Sequence, residues 1–250
     1  MTARIEIDPI GPIGEIRPGD ALGRLIAGAA RGVDPGDLIV ISQKVVSKSE
    51  GRIVDLASVE PGARAAELAS ALDKDPRVIE LVLGESRRVV RAGHGVLIVE
   101  TRHGFVCANA GIDASNVPGD DRVTLLPVDP DASSRRIRAE IGDASGVAPG
   151  VIVADSFGRA WRMGQVDVAI VCAGVTAIDD WYGRADRGGR QASATAIAVA
   201  DAMASAADLA RDKASGDPVM RIRGLATFVT AEDGPGAAPL RRAAADDLFR

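Results

Sequence analysis

The stretch VIVADSFGRAWRMGQVDVAIVC, residues 151–172, carries the pattern that decides the fold class. Two apolar runs, Val151–Ala154 and Val166–Cys172, flank a polar segment that contains Gly158 and Gly164. Runs rich in Val and Ile that are bounded by Gly, Pro or Asp are typical of β-strands. We therefore predict a strand on each side of the polar segment.

Similar short β-rich runs alternate with Ala-rich helical stretches along the rest of the chain. Further strands are predicted at Arg4–Ile7, Asp37–Ile41, Arg87–Arg91, Gly95–Glu100, Phe105–Ala108 and Leu225–Val229. Helices are predicted at Asp20–Ala30, Ala63–Leu72, Ala132–Ile141 and Ala192–Lys213, with Asp20 and Asp131 as candidate N-caps. Because hairpin-like neighbours mix with helices and a regular βαβ alternation is absent, an α+β architecture is favoured over a doubly wound sheet.

The composition changes near residue 230. The segment Glu232–Pro239 is rich in Gly, Ala and Pro and is followed by a charged tail. Such segments are typical of linkers. We predict one domain over residues 1–230 and a linker and tail over residues 231–250, a position from which a further domain could follow in a longer parent protein.

Charge and cysteine content exclude several classes of protein. A net charge of -5 argues against nucleic-acid binding, which needs a broad basic surface. Cys107 and Cys172 each lie in an apolar run, and no CxxC or Cys/His cluster occurs, which argues against disulfides and structural zinc. The N-terminus lacks a signal peptide and no window approaches a membrane span, so we expect a cytoplasmic protein without a membrane partner.

No ordinary nucleotide-binding fingerprint is present, because the chain has neither a P-loop nor a GxGxxG motif after a strand. Function must instead be sought where polar residues crowd against apolar strands, since loops held by a rigid scaffold often carry it. Four segments meet this description: Ser42–Gly51, Ala108–Asp121, Val151–Gln165 and Lys213–Gly224.

The first two segments suggest a phosphate site and a cation site. Lys44 and Lys48 would share one side of a helix and could neutralise phosphates, although a solvated junction explains them equally well. The oxygen-bearing side chains of Ala108–Asp121 suit Mg²⁺ or Mn²⁺, but Asx-turns use the same residues for local hydrogen bonds.

The other two segments also allow two explanations. In Val151–Gln165, Asp155 and Ser156 could bind a metal while Arg159 and Arg162 bind phosphate or carboxylate oxygens; the alternative is a capped turn. In Lys213–Gly224, a Gly/Ser turn could present backbone amides to a phosphate, whereas a helix C-cap followed by Pro is the plain alternative.

Taken together and in order, these segments resemble a known family. The motifs are ISQKVVSKSEGRIV (41–54), ANAGIDASNVP (108–118), LLPVDPDASSRRIR (125–138), VIVADSFGRAWRMGQVDVAI (151–170) and KASGDPVMRIRG (213–224). They resemble the motifs of the F420-0:γ-glutamyl ligase family, called CofE in archaea, over roughly residues 5 to 230. Ordered agreement of several long motifs is far more specific than any one turn.

The resemblance implies an α+β CofE-like fold with mixed and antiparallel sheets and an intertwined homodimer. It implies a GTP-dependent enzyme that adds L-glutamate to coenzyme F420-0, a phosphorylated deazaflavin, through an acyl-phosphate intermediate. The implied cofactors are Mg²⁺ or Mn²⁺, with K⁺ as a further candidate. The alternatives are a metal-dependent nucleotide phosphohydrolase, in which Asp113 and Asp155 would activate water, and a non-catalytic GTP-binding protein.

The resemblance also implies roles for individual residues. Metal ligands fall on Asp113, Asp155 and Ser156. From the chemistry of phosphoryl transfer, we also expect Asp113 and Asp155 to act in catalysis together with Arg159 and Arg162, which can neutralise charge. GTP contacts fall on Ile13, Gly14, Glu15, Ile16, Gln43, Lys48, Asn116, Lys213, Ser215 and Gly216. The early loop departs from the family pattern, because Ile13-Gly14 stands where Leu-Pro is expected.

Overall fold

The computed structural model describes residues 4–115, 119, 121–211 and 216–247. Its strands are β1 (Glu6–Pro9), β2 (Leu38–Ser42), β3 (Ile53–Asp55), β4 (Ser86–Gly93), β5 (Val96–Thr101), β6 (Val106–Ala108), β7 (Arg122–Thr124), β8 (Gly150–Arg159), β9 (Arg162–Ala173), β10 (Asp179–Asp180), β11 (Ala196–Ile197) and β12 (Val219–Arg223). Its α-helices are α1 (Leu22–Ala29), α2 (Gln43–Ser49), α3 (Ala63–Leu72), α4 (Pro76–Gly84), α5 (Pro130–Ser145) and α6 (Val199–Ala210). The predicted α+β class is confirmed.

A five-stranded mixed sheet forms the centre of the molecule, in the order β1-β12-β2-β8-β9. Only β2 and β8 run parallel, and the other neighbours are antiparallel. The sequence of β2, LIVIS, is buried along its apolar length because helices cover both faces of the sheet.

The alternation of side chains along β8 divides the core into two clusters. Val151 and Val153 face the layer formed by α1 and α5. Ile152 and Ala154 face α6 on the other side of the sheet. This alternation later decides which way the polar residues of β8 point.

A second layer consists of the antiparallel sheet β4-β5-β6, which packs on α3 and α4 around Leu97 and Val99. Strand β6 connects this layer to the main sheet, because Cys107 packs within the cluster that also contains Val153. The turn after β6 therefore lies beside β8.

Most predicted strands and the helix at Ala63–Leu72 are confirmed, but two elements differ. The predicted strand Leu225–Val229 is wrong: a short 3₁₀ turn forms at Ala226–Phe228, and the strand β12 lies just before it. Gly224 separates the two with a φ of 92°, and a Cβ at this position would collide with the Arg4 carbonyl. The predicted helix Ala192–Lys213 begins only at Val199, because β11 pairs with β10 instead.

Both predicted N-caps are wrong. The α5 helix is capped by Asp129, whose carboxylate accepts a hydrogen bond of 3.0 Å from the Ala132 amide, and Asp131 lies in the first turn. Asp20 accepts from the Arg17 amide, and α1 begins after Ala21 without a side-chain cap.

The segment predicted as linker and tail contacts the body of the protein as far as Arg241, which lies over the Phe105 ring. Arg138 of α5 donates a 2.7 Å hydrogen bond to Asp233 and two more to the carbonyls of Thr230 and Ala231. Ala237 is 1% exposed. The domain boundary near residue 230 stays a prediction.

Within the described part of the chain, every helix is too short or too polar to cross a lipid bilayer.

Candidate functional site

A cavity of about 930 Å³ opens where β2 ends. Strand β2 pairs with β8 only as far as Ser42 opposite Ala154, whereas β8 and β9 continue as a hairpin to Arg159 and Arg162. Asp155 and Ser156 were predicted to follow the end of a strand, but they lie inside β8, beyond the point where its neighbour stops. Both faces of β8 border the cavity for this reason.

Five segments that are distant in sequence line the cavity. They are the loop 14–16, the start of α2 (Ser42, Lys44, Val45 and Lys48), the turn after β6 (residues 107–109, 111–113 and 115), the hairpin of β8 and β9 (154–158, 165 and 167), and the end of α6 with the following turn (Asp208, Arg211 and 216–218).

The turn after β6 holds Asp113 against the face of β8 that is directed toward α1 and α5. Asn109, Ala110 and Gly111 all adopt positive φ, at 52°, 54° and 70°. Non-glycine residues rarely take this conformation, which clusters at functional sites. Asp113 then forms a backbone bridge to Thr124, so its position is fixed on both sides.

Asp113 forms an ion pair with Lys44 across the cavity. The Lys44 Nζ lies 2.8 Å from Asp113 Oδ2 and also donates to the Ser115 hydroxyl, while the Ser115 amide donates to Asp113 Oδ1 at 2.6 Å. Partial burial raises the pKa of Asp113, but these hydrogen bonds outweigh it, so the pKa lies below its usual range. Asp113 is therefore an anion near neutral pH.

Asp155 lies in a less hydrated position on the same face. Burial raises its pKa to about 7; a hydrogen bond from the Ser156 backbone opposes this shift, and the charges of Asp167 and Asp113 add to it. Its neighbour Cys107 has a thiol whose pKa is raised to about 12 by burial and by the charge of Asp155. The thiol is thus protonated and unsuited to act as a nucleophile.

Ser156 points to the opposite face of β8. Its hydroxyl donates a 2.6 Å hydrogen bond to Asp167 Oδ1, directly across the β8–β9 pair. Asp167 is 2% exposed, and its other carboxylate oxygen accepts a hydrogen bond from Arg211 Nη1 at 3.2 Å. Burial raises the pKa of Asp167, although the bonds from Ser156 and Arg211 act against this.

A third charged pair stands at the mouth of the cavity. The Lys48 Nζ lies 2.7 Å from Glu15 Oε1, and the side-chain exposures are 9% and 60%. The loop 14–16 and helix α2 therefore meet at this pair, as the predicted nucleotide contacts require.

The residues around Asp155 suit a hard divalent cation. Asp113 and Asp155 supply two carboxylates on one face, close enough for the charge of Asp113 to raise the pKa of Asp155. The hydroxyl of Ser156 borders the cavity from the other face. Among the described residues, no three His, Cys, Asp or Glu side chains form a metal cluster, so further ligands would have to come from hydroxyls, water or substrate.

The cavity brings many of the predicted site residues together. Asp113, Asp155, Ser156, Gly14, Glu15, Ile16, Lys48 and Gly216 all line it. Asn116, Lys213 and Ser215 lie outside the described residues.

Four predicted residues lie elsewhere. The Gln43 side chain is fully buried, where it accepts from the Ser47 hydroxyl, and Ile13 packs on the core. Arg159 and Arg162 are exposed near the tip of the hairpin, where Arg159 donates to the Met163 carbonyl.

Among the cavity-lining residues that the predicted site set omitted, three form ion pairs there: Lys44, Asp167 and Arg211. Lys44 is recognisable from its spacing to Lys48, and only its pairing with Asp113 requires the fold. Asp167 and Arg211 gave no signal in sequence, because a single Asp in an apolar strand and an Arg at a helix end are both commonplace.

Comparison with known proteins identifies the family of this chain. Residues 11–224 match the profile of the family described as F420-0:Gamma-glutamyl ligase. The chain is 41% identical over 248 residues to the coenzyme F420:L-glutamate ligase of Methanopyrus kandleri, a match that covers 98% of each protein. It is 44% identical over 216 residues to the enzyme of the same name from Methanothermobacter thermautotrophicus, covering 86% of this chain and 85% of that relative. This chain is therefore a member of the F420-0:γ-glutamyl ligase family, as its ordered motifs predicted.

Proposed function

We propose that this chain is a coenzyme F420:L-glutamate ligase that uses GTP to join L-glutamate to coenzyme F420-0. The activity named for its relatives supports the proposal, as does a cavity that combines two carboxylates, two lysines and an exposed turn. The observation that carries it is the Lys44–Asp113 ion pair beside the desolvated Asp155, because two neighbouring carboxylates could bind a cation while the adjacent ammonium group could bind phosphates.

The chemistry explains why such a cavity is needed. A carboxylate does not condense with an amine near neutral pH until one of its oxygens becomes a leaving group. Transfer of the terminal GTP phosphoryl group to the acceptor carboxylate would provide that leaving group as an acyl phosphate. The glutamate amine would then attack the acyl carbon, form the amide bond and release phosphate.

Phosphoryl transfer depends mainly on positioning and on neutralising charge. Asp113 and Asp155 would hold Mg²⁺ or Mn²⁺, with Ser156 contributing from the other face, and the bound cation would neutralise phosphate charge. Lys44 would lie close to the same phosphates, since it already borders this carboxylate pair. K⁺ is a further cation that we propose.

The nucleotide would contact the wall formed by the loop 14–16, Lys48 and the turn at Gly216. Lys48 is held by Glu15, whose side chain is largely exposed and can move away when a phosphate replaces it. The buried stem of Lys48 would keep its ammonium group at the cavity in either state.

Mass spectrometry of the products formed from GTP, L-glutamate and F420-0 tests the ligase function directly. We expect F420-0 to gain one or more glutamates while GDP and phosphate appear, and we expect activity to fall when K⁺ is replaced by Na⁺. GTP hydrolysis at the same rate without F420-0 and glutamate would instead indicate a phosphohydrolase. GTP binding without turnover under any combination would indicate a non-catalytic protein.

Substitution of Asp155 by Asn tests the cation site. We expect ligation to be lost because a neutral amide holds Mg²⁺ or Mn²⁺ much more weakly than a carboxylate. Asp201→Asn is the matched control: Asp201 is also a partly buried aspartate, but it accepts from the Ala169 amide and does not line the cavity. Loss of ligation in both variants would point to a general effect of removing a carboxylate.

A homodimer is also proposed, and the β8–β9 hairpin supports it. Trp161 and Met163 near its tip are 78% and 95% exposed, and exposed apolar clusters of this kind often mark interfaces. Light scattering should give about twice the 25.8 kDa of one chain, and Met163→Glu should lower that mass. A wild-type mass equal to one chain at micromolar concentration would contradict the proposal.

The dimer would also explain why Arg159 and Arg162 lie away from the cavity of their own chain. If the hairpin reaches the partner's cavity, a mixture of Arg159→Ala and Asp155→Asn chains should regain activity, because mixed dimers contain one intact site. No recovery after the chains have been unfolded and refolded together would restrict both arginines to a local role.

A further inference from the structure

Ser156 and Asp167 form a buried hydrogen-bonded pair on the α6 face of the sheet. The two residues lie directly opposite each other on β8 and β9, and their side-chain oxygens are 2.6 Å apart. The family resemblance implies that Ser156 is a metal ligand, and it implies no role for Asp167.

The direction of this hydrogen bond matters for metal binding. A serine hydroxyl has one hydrogen and two lone pairs, and a cation needs a lone pair. Asp167 accepts the hydrogen and so keeps both lone pairs of Ser156 free. A hydroxyl without this partner could rotate and turn its hydrogen toward the cation.

Asp167 is itself held firmly. Its second carboxylate oxygen pairs with Arg211 Nη1 at 3.2 Å, and its backbone carbonyl accepts from the Ser205 hydroxyl at 2.8 Å. The residue is 2% exposed, so solvent does not compete for its oxygens. Arg211, just after α6, therefore holds the carboxylate that accepts from Ser156, and Ser205 of α6 holds the Asp167 backbone.

We propose that Asp167 is a positioning residue, which orients the Ser156 hydroxyl so that its lone pairs face the divalent cation, while Arg211 holds Asp167 in place. The inference rests on the proposed cation site, in which Ser156 is a ligand. Outer partners of this kind commonly change metal affinity by about 10- to 100-fold when they are removed.

A double-mutant cycle with Mn²⁺ alone tests the inference without using enzymatic activity. Free Mn²⁺ is measured by electron paramagnetic resonance for wild type, Ser156→Ala, Asp167→Ala and the double variant. We expect each single variant to bind Mn²⁺ about tenfold or more weakly. The double variant should bind no more weakly than Ser156→Ala, because Asp167 would have no hydroxyl left to orient.

Asp167→Asn provides a second test if Asp167→Ala folds poorly. The amide oxygen can still accept the Ser156 hydrogen. We therefore expect the Mn²⁺ affinity of Asp167→Asn to stay within about threefold of wild type, well below the roughly tenfold or greater loss expected when this hydrogen bond is removed. Asp37→Ala is the matched control, since Asp37 is also 2% exposed and also pairs with an arginine, Arg223, but at the other end of β2. Its Mn²⁺ affinity should be unchanged.

Each other outcome overturns a separate step. Additive losses in the double variant would make Asp167 an independent ligand, and an equal loss in Asp167→Asn and Asp167→Ala would assign the effect to charge. Unchanged Mn²⁺ affinity in Ser156→Ala would remove Ser156 as a ligand and the inference with it. Unchanged affinity in Asp155→Asn, measured alongside, would instead contradict the proposed cation site itself.

Discussion

At the scale of single residues, Asp155 couples the candidate site to the stability of the protein. Its pKa rises from the usual 3.8 to about 7 on folding, mainly because burial disfavours its charge. Burial shifts the pKa of Asp167 and Asp201 in the same direction. Between the two pKa values of Asp155 the folded protein binds more protons than the unfolded chain, so its stability falls as pH rises.

We therefore expect the metal-free protein to melt at a lower temperature at about pH 8 than at about pH 6, with a slope of up to about 1.4 kcal/mol per pH unit from each such group. The contribution of Asp155 is complete below its unfolded pKa and is lost as pH rises through about 7. Saturating Mn²⁺ should reduce the decline because it stabilises the charged form. Calorimetry measures this, and a slope unchanged in Asp155→Asn would contradict the role of Asp155.

Lys48 is the second residue with a testable role, because we expect its ammonium group to bind the phosphates of GTP. Lys48→Ala should weaken binding of a non-hydrolysable GTP analogue about 10- to 100-fold at saturating Mg²⁺, the range expected for a lost bond to a charged group. Isothermal titration measures the affinity. Lys74→Ala, which changes an exposed lysine that does not line the cavity, should bind normally. Equal affinity in both variants would leave Lys44 as the more plausible phosphate contact.

At the scale of helices and strands, an element could be predicted where its own residues determine its structure. The apolar run of β2 and the Ala-rich α3 were predictable from composition alone. Helix α4 was overlooked, although Asp75 caps it and Pro76 occupies its first turn, which is a typical helix start. The late start of α6 was not predictable, because it depends on pairing between β10 and β11.

The N-cap of α5 gives a test at this scale. Asp129→Ala should lower the free energy of unfolding by about 1 kcal/mol, whereas Asp129→Asn should lower it much less because the amide oxygen can still accept from the Ala132 amide. Chemical denaturation measures both values. Equal losses would show that the charge of Asp129 matters more than its cap.

At the scale of the whole molecule, the candidate site depends on contacts between distant segments. Asp113 and Asp155 could be predicted because each comes after an apolar run in the sequence, and the family motifs include both. The pairing of Lys44 with Asp113 and of Asp167 with Arg211 could not, since each joins segments tens of residues apart through the folded sheet. Sequence reasoning therefore identified the carboxylates better than their partners.

Arg138 joins the segment after β12 to the rest of the protein. Its guanidinium is nearly buried and bonds the Pro149 carbonyl in addition to Asp233, Thr230 and Ala231. Arg138→Met should therefore lower the free energy of unfolding by about 1.5–3 kcal/mol, because the carbonyls that it bonds lose a charged donor. Asp233 is 39% exposed and can be hydrated when Arg138 is removed.

Arg136→Met is the matched control on the same helix. Arg136 pairs with Glu50 but is half exposed, so its loss should cost less than about 1 kcal/mol. Proteolysis should also release residues after 230 faster in the Arg138 variant. Similar stability in both variants would contradict a role for Arg138 as the anchor of this segment.

The position of β12 has a consequence for how the protein is made. This strand lies between β1 and β2, and among the described strands it is the only hydrogen-bonded neighbour of β1. A ribosome that adds about 5–20 residues per second must work for roughly ten seconds or more after it completes β2 before β12 exists. Until then the nascent chain carries an uncharged apolar strand with an open edge. Because open edges of this kind favour aggregation, we expect chaperones to bind the chain during its synthesis.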